Sequence, residues 1–174
     1  LEGITLNNNR SGLAVSGGGM AMFMSLASNI YNSSSFQSTG ISIGGGSRVS
    51  TSVGLYIDIG NYQDSRGIEA YEGEFSLENG ITATIAETGG SSQNITGIEI
   101  GNSGKLYVCN TCTLNFNMSN SNMYSTALSV RGGALSSQGN LDFNSGDGAG
   151  LVCDVGASCQ IYGPLIVNAV ASFN

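Results

Sequence analysis

The sequence predicts an all-β fold: a right-handed parallel β-helix (β-solenoid) of about six coils, in one domain covering residues 1–174. Three observations predict it. A small residue followed by apolar–x–apolar recurs along the chain at spacings of 23 to 30 residues. Within each unit, apolar and polar residues alternate with a period of two, as in a β-strand. Clusters of Gly, Asn and Ser separate these runs, as turns between strands require.

The recurring motif is expected to begin each coil. Coils that stack at ~4.8 Å place equivalent residues in columns, and six of them would form a rod of ~29 Å. The six instances are Gly12–Val15, Gly40–Ile43, Gly67–Ala70, Gly97–Ile100, Ala127–Val130 and Gly150–Cys153.

Further alternating runs lie between the motifs, and their apolar members are predicted to face a continuous core. Ser, Asn, Thr, Glu and Tyr are predicted to face outward. The apolar sets are Met20/Met22/Met24/Leu26, Val53/Leu55/Ile57/Ile59, Ile81/Ala83/Ile85, Leu106/Val108, Leu114/Phe116/Met118 and Leu141/Phe143.

Composition excludes several other classes. With 40% hydrophobic residues the chain is not disordered, although 27 of its 174 residues are Gly. Good helix formers are sparse, and no apolar run approaches the ~20 residues of a membrane span. An antiparallel β-sandwich is the alternative fold, but Asn79-Gly80 is the sole Asn-Gly hairpin signal. A net charge of −7, with one lysine, argues against binding to nucleic acid or anionic membranes.

One coil resembles a known family. Arg131–Leu135 (RGGAL) followed by Gly139–Asn144 (GNLDFN) resembles the GGA[I/L]…FxxN-type coil of autotransporter passengers and polymorphic outer-membrane adhesins, with a shorter second half. Gly97–Val108 and Thr113–Asn117 are similar to adhesin passengers in general character. The resemblance implies a surface-displayed β-helix of the adhesin type and does not identify its receptor.

The four cysteines are predicted to form two local disulfides, Cys109–Cys112 and Cys153–Cys159, in an oxidising compartment. Four cysteines allow three pairings. Cys109 and Cys112 lie two coils before the second pair, about 10 Å away along the axis, which is beyond the reach of a disulfide. In the repeat alignment, Cys153 and Cys159 take two inward positions that face each other across one turn.

A redox-active Cys-x-x-Cys is the alternative for Cys109 and Cys112. Such a motif normally opens a helix, whose dipole lowers the pKa of the thiol, whereas here it lies between two predicted strands. A zinc site would need further ligands, and the chain has no histidine.

No enzyme, cofactor or metal site is expected. Without histidine, a Ser–His or Cys–His nucleophile is impossible. β-Helix enzymes that act on polysaccharides pair carboxylates on one face, so such an enzyme is the third possibility; Glu72 and Glu74, expected on one strand face about 7 Å apart, are its candidates. Asp142, Asp147 and Asp154 are candidate calcium ligands, although a role as turn residues is favoured.

The function expected first is a non-enzymatic, adhesin-like binding domain that is secreted or displayed on the cell surface. Its partner would be a host or environmental glycan or protein, with no nucleic acid and no membrane insertion. The candidate binding face is Tyr56, Tyr62, Tyr71 and Tyr107. Three N-glycosylation sequons, at Asn32, Asn94 and Asn117, matter only in a eukaryotic source.

The alternative function is a structural subunit of a self-assembling extracellular filament or sheath. Ile4 and Leu6 open the chain in mid-coil, and the apolar strand Leu165–Val167 lies near its end. Such ends are expected either of a fragment or of an uncapped assembly unit whose copies stack end to end.

Overall fold

A computed structural model describes residues 4–8, 11–30, 38–60, 65–87, 94–118 and 124–173, which form a parallel β-solenoid of about five turns. Every ladder between its strands is parallel, and the antiparallel contacts are single bridges at corners. The described ranges contain no helix, and hence none that is long and apolar enough to cross a membrane. The predicted fold class is confirmed, with about five turns where about six coils were predicted.

The strands of the described ranges are short, apart from four that turn a corner without interruption. They are β1 (Ile4–Asn8), β2 (Ser11–Val15), β3 (Met20–Ile30), β4 (Thr39–Gly44), β5 (Arg48–Ile59), β6 (Ser65–Tyr71), β7 (Glu74–Leu77), β8 (Thr82–Glu87), β9 (Ile95–Gly101), β10 (Lys105–Val108), β11 (Thr113–Asn117), β12 (Thr126–Arg131), β13 (Ala134–Ser137), β14 (Asn140–Cys153), β15 (Ser158–Ile161) and β16 (Leu165–Phe173).

Each coil contributes one strand to each of three faces. Face 1 stacks β2, β4, β6, β9, β12 and the second halves of β14 and β16. Face 2 stacks the first halves of β3 and β5 with β7, β10, β13 and β15. Face 3 stacks β1, the second halves of β3 and β5, β8, β11 and the first halves of β14 and β16. β3, β5, β14 and β16 therefore each span two faces.

The predicted repeat register is confirmed on face 1. The first apolar residues of the six motifs lie in one column, five turns from first to last, and from the second turn onward they are fully buried. This column is Leu13, Ile41, Ile68, Ile98, Leu128 and Leu151.

The core inside the three faces is continuous and apolar. Phe116 of β11 and Phe143 of β14 are register partners on face 3, and their rings stack with centroids 4.9 Å apart. Phe75 on face 2 is also fully buried. Stacked aromatic side chains of this kind contribute some of the largest apolar areas that a core can bury.

The core assignment was wrong for the first alternating run. Met20, Met22 and Met24 are exposed, whereas Phe23 between them is buried. A period of two shows that a strand has two faces without showing which is inside. The ladder pairs Ala21 with Val49 of the next coil, which is fully buried, and this register places Ala21 and Phe23 on the core side. Val53, also expected inside, is exposed where the ladder between β3 and β5 shifts register.

At Gly67 and Gly97, the small residue that opens the motif is required by a close approach between coils. A Cβ atom on Gly97 would lie 2.5 Å from the backbone oxygen of Ala127 in the next coil. It would also lie 3.1 Å from two ring carbons of Phe116. At these two motif starts, little space remains between the backbone of the next coil and the core.

Replacing Gly97 by alanine should therefore lower the free energy of unfolding by ~1–3 kcal/mol, the usual cost of overpacking a core. Gly54→Ala is the matched control, because a Cβ atom there meets nothing within 4 Å. Urea denaturation followed by circular dichroism measures both variants. Equal stability of the two variants would contradict the steric account.

Candidate functional site

Both predicted disulfides are present. Cys109–Cys112 closes the corner between β10 and β11, with Cα atoms 5.1 Å apart, and Cys153–Cys159 links β14 to β15 with Cα atoms 6.6 Å apart. The described chain has no free cysteine, and Cys109 and Cys112 lie at a turn between strands rather than at a helix. Two disulfides are consistent with an oxidising, extracellular location.

The predicted tyrosine surface is not a single face. Tyr56 is exposed on face 3, Tyr71 is half-buried on face 1, and Tyr107 is half-buried on face 2. Tyr62 lies outside the described residues. The expectation of one shared surface is therefore wrong for the three described tyrosines, because the chain turns two corners within each coil. Binding by any one of them stays a prediction.

Glu72 and Glu74, the predicted carboxylate pair, do not share a strand. Glu72 is exposed at the corner between faces 1 and 2, with a φ of 59°, and Glu74 begins β7. The carboxylate of Glu74 pairs with Arg48 of the preceding coil at 2.9 Å. The expectation that both lie on one strand face is wrong, because a corner separates them.

Face 1 has a different pair of carboxylates, which the sequence analysis did not single out. Glu69 of β6 and Glu99 of β9 are register partners on adjacent coils. Each occupies the x position of its small–apolar–x–apolar motif, so the repeat alignment contained the signal. With Arg66, Tyr71 and Arg131 they form what we call the face-1 charged cluster.

Glu99 is the centre of the face-1 charged cluster and is almost fully buried. Arg66 Nε donates a hydrogen bond to one oxygen of Glu99, and the Tyr71 hydroxyl donates to the other at 2.8 Å. Arg66 Nε also lies 3.6 Å from Glu69 Oε1. Tyr71 reaches Glu99 because its ring covers Gly101, where a Cβ atom would lie 2.1 Å from the ring.

The cluster shifts the pKa values of its two carboxyl groups in opposite directions. Burial raises the pKa of Glu69, against the opposing charge of Arg66, and the charge of Glu99 adds to the rise. Burial alone would raise the pKa of Glu99 too, but the hydrogen bonds from Arg66 and Tyr71 outweigh it and lower that pKa. Burial and the bond to Glu99 raise the pKa of Tyr71 to about 12, so its hydroxyl remains a donor.

A cavity of about 200 Å³ opens beside Glu99. Its walls are polar, with amide, hydroxyl, carboxylate and guanidinium groups. Tyr124, 68% exposed at the turn before β12, is its aromatic side chain. Arg131 lies 3.9 Å from Asp154 and donates from Nε to the Ser129 hydroxyl at 3.1 Å. The lining residues are Ser65, Arg66, Asn94, Thr96, Glu99, Tyr124, Thr126 and Arg131.

Within the described ranges, no three His, Cys, Asp or Glu side chains are grouped as metal ligands. Asp142 lies on face 3, Asp147 lies within β14, and Asp154 follows it at the next corner. The structure therefore does not gather these three candidate calcium ligands into one site.

No protein-family model, curated protein or solved structure matches this chain. The adhesin resemblance therefore rests on the sequence motif.

Replacing Glu99 by glutamine should lower the free energy of unfolding at pH 7 by about 1.5–3 kcal/mol, because hydrogen bonds to a buried charged group are lost. A carboxyl with a lowered folded pKa stabilises the fold above its unfolded pKa. The deficit of the variant should shrink as the pH falls below about 4.3, the ordinary pKa of Glu. Urea titrations at several pH values measure it.

Glu74→Gln is the control, because the Arg48–Glu74 pair is half exposed and such pairs contribute ~0.2–1 kcal/mol. An equal loss in both variants, or a Glu99→Gln deficit that does not change with pH, would contradict the role assigned to Glu99.

Proposed function

We propose that this chain is a non-enzymatic, extracellular binding domain that recognises a neutral glycan in the cavity of face 1. One observation supports this choice above the others: the polar cavity beside Glu99, with an exposed tyrosine at its side. The sequence resemblance to adhesin passengers and the two disulfides agree with a surface location.

The chemistry of the lining suits a sugar. A sugar ring presents neighbouring hydroxyl groups that both donate and accept hydrogen bonds. Asn94, Thr96 and Thr126 offer donors and acceptors, and Arg131 offers donors only. Tyr124 adds an aromatic surface for the less polar side of the ring. Glu99 is already held by Arg66 and Tyr71, so little ordering has to accompany binding.

The balance of charge favours a neutral ligand. In and around the face-1 charged cluster, the two arginines Arg66 and Arg131 pair with three carboxylates, those of Glu69, Glu99 and Asp154, so no positive charge is in excess. The whole chain has a net charge of −7 and would repel a polyanion. An acidic polysaccharide is therefore the weaker candidate.

Polysaccharide hydrolysis is the second candidate function. Glu69 and Glu99 lie on adjacent coils and their pKa values are shifted apart, as in acid–base pairs of carboxylates. Binding is favoured because both oxygens of Glu99 already accept hydrogen bonds, from Arg66 and Tyr71. Assembly into a filament stays a prediction from the sequence.

A panel of soluble polysaccharides tests the proposal: xylan, mannan and mixed-linkage glucan as neutral probes, alginate and polygalacturonate as acidic ones. At least one neutral probe should retard the protein in affinity electrophoresis. Tyr124→Ala and Arg131→Gln should each weaken that binding roughly tenfold, since truncating an aromatic or Arg anchor costs at least ~1.4 kcal/mol.

The matched controls are Tyr162→Ala, which removes an equally exposed tyrosine (72%) outside the cavity, and Arg48→Gln on face 2. Binding that is lost equally in the controls, or absent for every neutral probe, would contradict the proposal. Release of reducing ends by the wild-type protein, abolished in Glu69→Gln, would establish the second candidate instead.

A further inference from the structure

Strand β10 presents two long side chains on the outside of face 2. Lys105 is exposed and Tyr107 is half-buried, whereas Leu106 and Val108, which alternate with them, face the core. Residues two apart on a strand project to the same side, with Cα atoms ~6.6–6.8 Å apart. An ammonium group and an aromatic ring therefore project from neighbouring outward positions of one strand.

The next strand of face 2 leaves space beside these two side chains. In the register between β10 and β13, Lys105 lies opposite Ala134 and Tyr107 lies opposite Ser136. Two short side chains thus adjoin two long ones, and a cavity of about 210 Å³ opens there, which we call the face-2 cavity. The residues that line it are Glu74, Lys105, Leu106, Tyr107, Ala134 and Ser136.

Lys105 carries a positive charge that forms an ion pair with none of the described carboxylates. Its register partner on β7 is Glu74, but the carboxylate of Glu74 pairs with Arg48 of the preceding coil at 2.9 Å. The other arginines of the described ranges, Arg66 and Arg131, pair with carboxylates of face 1 and its corner. Among the described cations, Lys105 is therefore the one that an anionic ligand can reach without breaking an ion pair.

Glu72 is the other carboxylate whose charge acts on Lys105. It is exposed at the corner before β7 and lines a second cavity, of about 290 Å³, which shares Lys105 and Glu74 with the face-2 cavity. Glu72 does not line the face-2 cavity itself. Its charge weakens the attraction of Lys105 for an anion without forming an ion pair with it, so removal of that charge should strengthen the binding of an anion.

The groups that line the face-2 cavity suit a carboxylate carried on a six-membered ring. The ammonium of Lys105 offers charge-assisted hydrogen bonds to the carboxylate. Tyr107 and the methyl group of Ala134 offer apolar surface to the body of the ring. The hydroxyl of Ser136 can donate or accept a hydrogen bond at its edge. The cavity is smaller than the ~300–1,000 Å³ of sites for drug-sized ligands, so it fits one ring rather than a chain of rings.

The acidity of the chain restricts the ligand to a single carboxylate. A net charge of −7 repels a polyanion, whose many charges all interact with the protein. The distant carboxylates act only weakly on one bound carboxylate, because salt screens exposed charges beyond ~8–10 Å. Direct contact with Lys105 then decides the balance.

We propose that the face-2 cavity binds a monocarboxylate whose carboxyl group is carried on a six-membered ring, as in a uronic acid or an aromatic acid. Lys105 holds the carboxylate, and Tyr107 contacts the ring. The site lies on a different face from the proposed glycan cavity and does not depend on it.

Glucuronate and benzoate are the probes, because they share the ring carboxylate and differ in their hydroxyl groups. Isothermal titration should give a Kd on the order of 1 mM for at least one of them, as expected for ligands of this size. The probe that binds more tightly identifies the kind of ring. Acetate and methyl glucoside should each bind at least about tenfold more weakly, since each lacks one half of the ligand.

Variants of the lining residues test the role of each group. Lys105→Gln and Tyr107→Ala should each weaken the binding of the preferred probe at least about fivefold, and Lys105→Arg, which keeps the charge, should stay within about threefold of the wild type. Glu72→Gln should bind about twofold to threefold more tightly. Because the chain has one lysine, reductive methylation with ¹³C-formaldehyde labels Lys105 and the N-terminal amine alone, and the Lys105 signal should shift as the probe is added.

Tyr56→Ala on face 3 and Tyr124→Ala beside the face-1 cavity are the controls, and each should bind the probe like the wild type. Circular dichroism verifies the fold of every variant. Failure of both probes to bind, binding that survives in Lys105→Gln, acetate that binds as tightly as the ring acids, or weaker binding by Glu72→Gln overturns the proposal. None of these results bears on neutral-glycan binding at face 1, which Tyr124→Ala tests separately.

Discussion

The parallel register between successive coils is the constraint on which the rest of this structure depends. Each coil lies ~4.8 Å from the next, so every inward side chain must pack against the side chains directly above and below it in its column. The column from Leu13 to Leu151 satisfies this with aliphatic residues alone. Gly97 shows how little tolerance remains, because a single added methyl would meet both the backbone of the next coil and a core aromatic ring.

The same register produces the face-1 charged cluster. Stacking places Glu69 directly beside Glu99, and like charges opposite each other on neighbouring strands are destabilising. Arg66 resolves this conflict by lying against both carboxylates, and Tyr71 satisfies the remaining oxygen of Glu99. Two polar side chains, those of Arg66 and Tyr71, are thus fixed around the buried carboxylate of Glu99 as a consequence of stacking. A rigid polar wall of this kind is what a cavity needs to orient a hydroxyl-rich ligand without reorganising itself.

Sequence reasoning succeeded where position within the repeat decides the outcome. The motif starts, their common column and both disulfides follow from spacing, because a coil of nearly constant length turns sequence separation into distance. It failed where the outcome depends on which side of a strand or corner a residue occupies. Met22 and Phe23 show the same alternation in sequence, and only the packing of the first coil determines that Phe23 faces inward. Glu72 and Glu74 are two residues apart and were therefore expected on one strand face. Glu72 instead has a φ of 59° and forms a corner, and a glutamate gives no indication in the sequence of that backbone conformation. Glu99, in contrast, could have been found by aligning it with Glu69.

The disulfides lie at corners of the solenoid, outside the face-1 charged cluster. Cys109–Cys112 closes a corner between faces 2 and 3, and Cys153–Cys159 bridges the corner between faces 1 and 2. The backbone of the first corner also continues the stack, since the amide of Asn140 in the next coil donates to the Cys112 carbonyl at 2.9 Å. A short covalent loop restricts the unfolded chain at a point where the folded chain must turn sharply. The residues on the outside of the coils can then differ from one coil to the next. One coil exposes methionines, and another surrounds a buried carboxylate, within the same repeating fold.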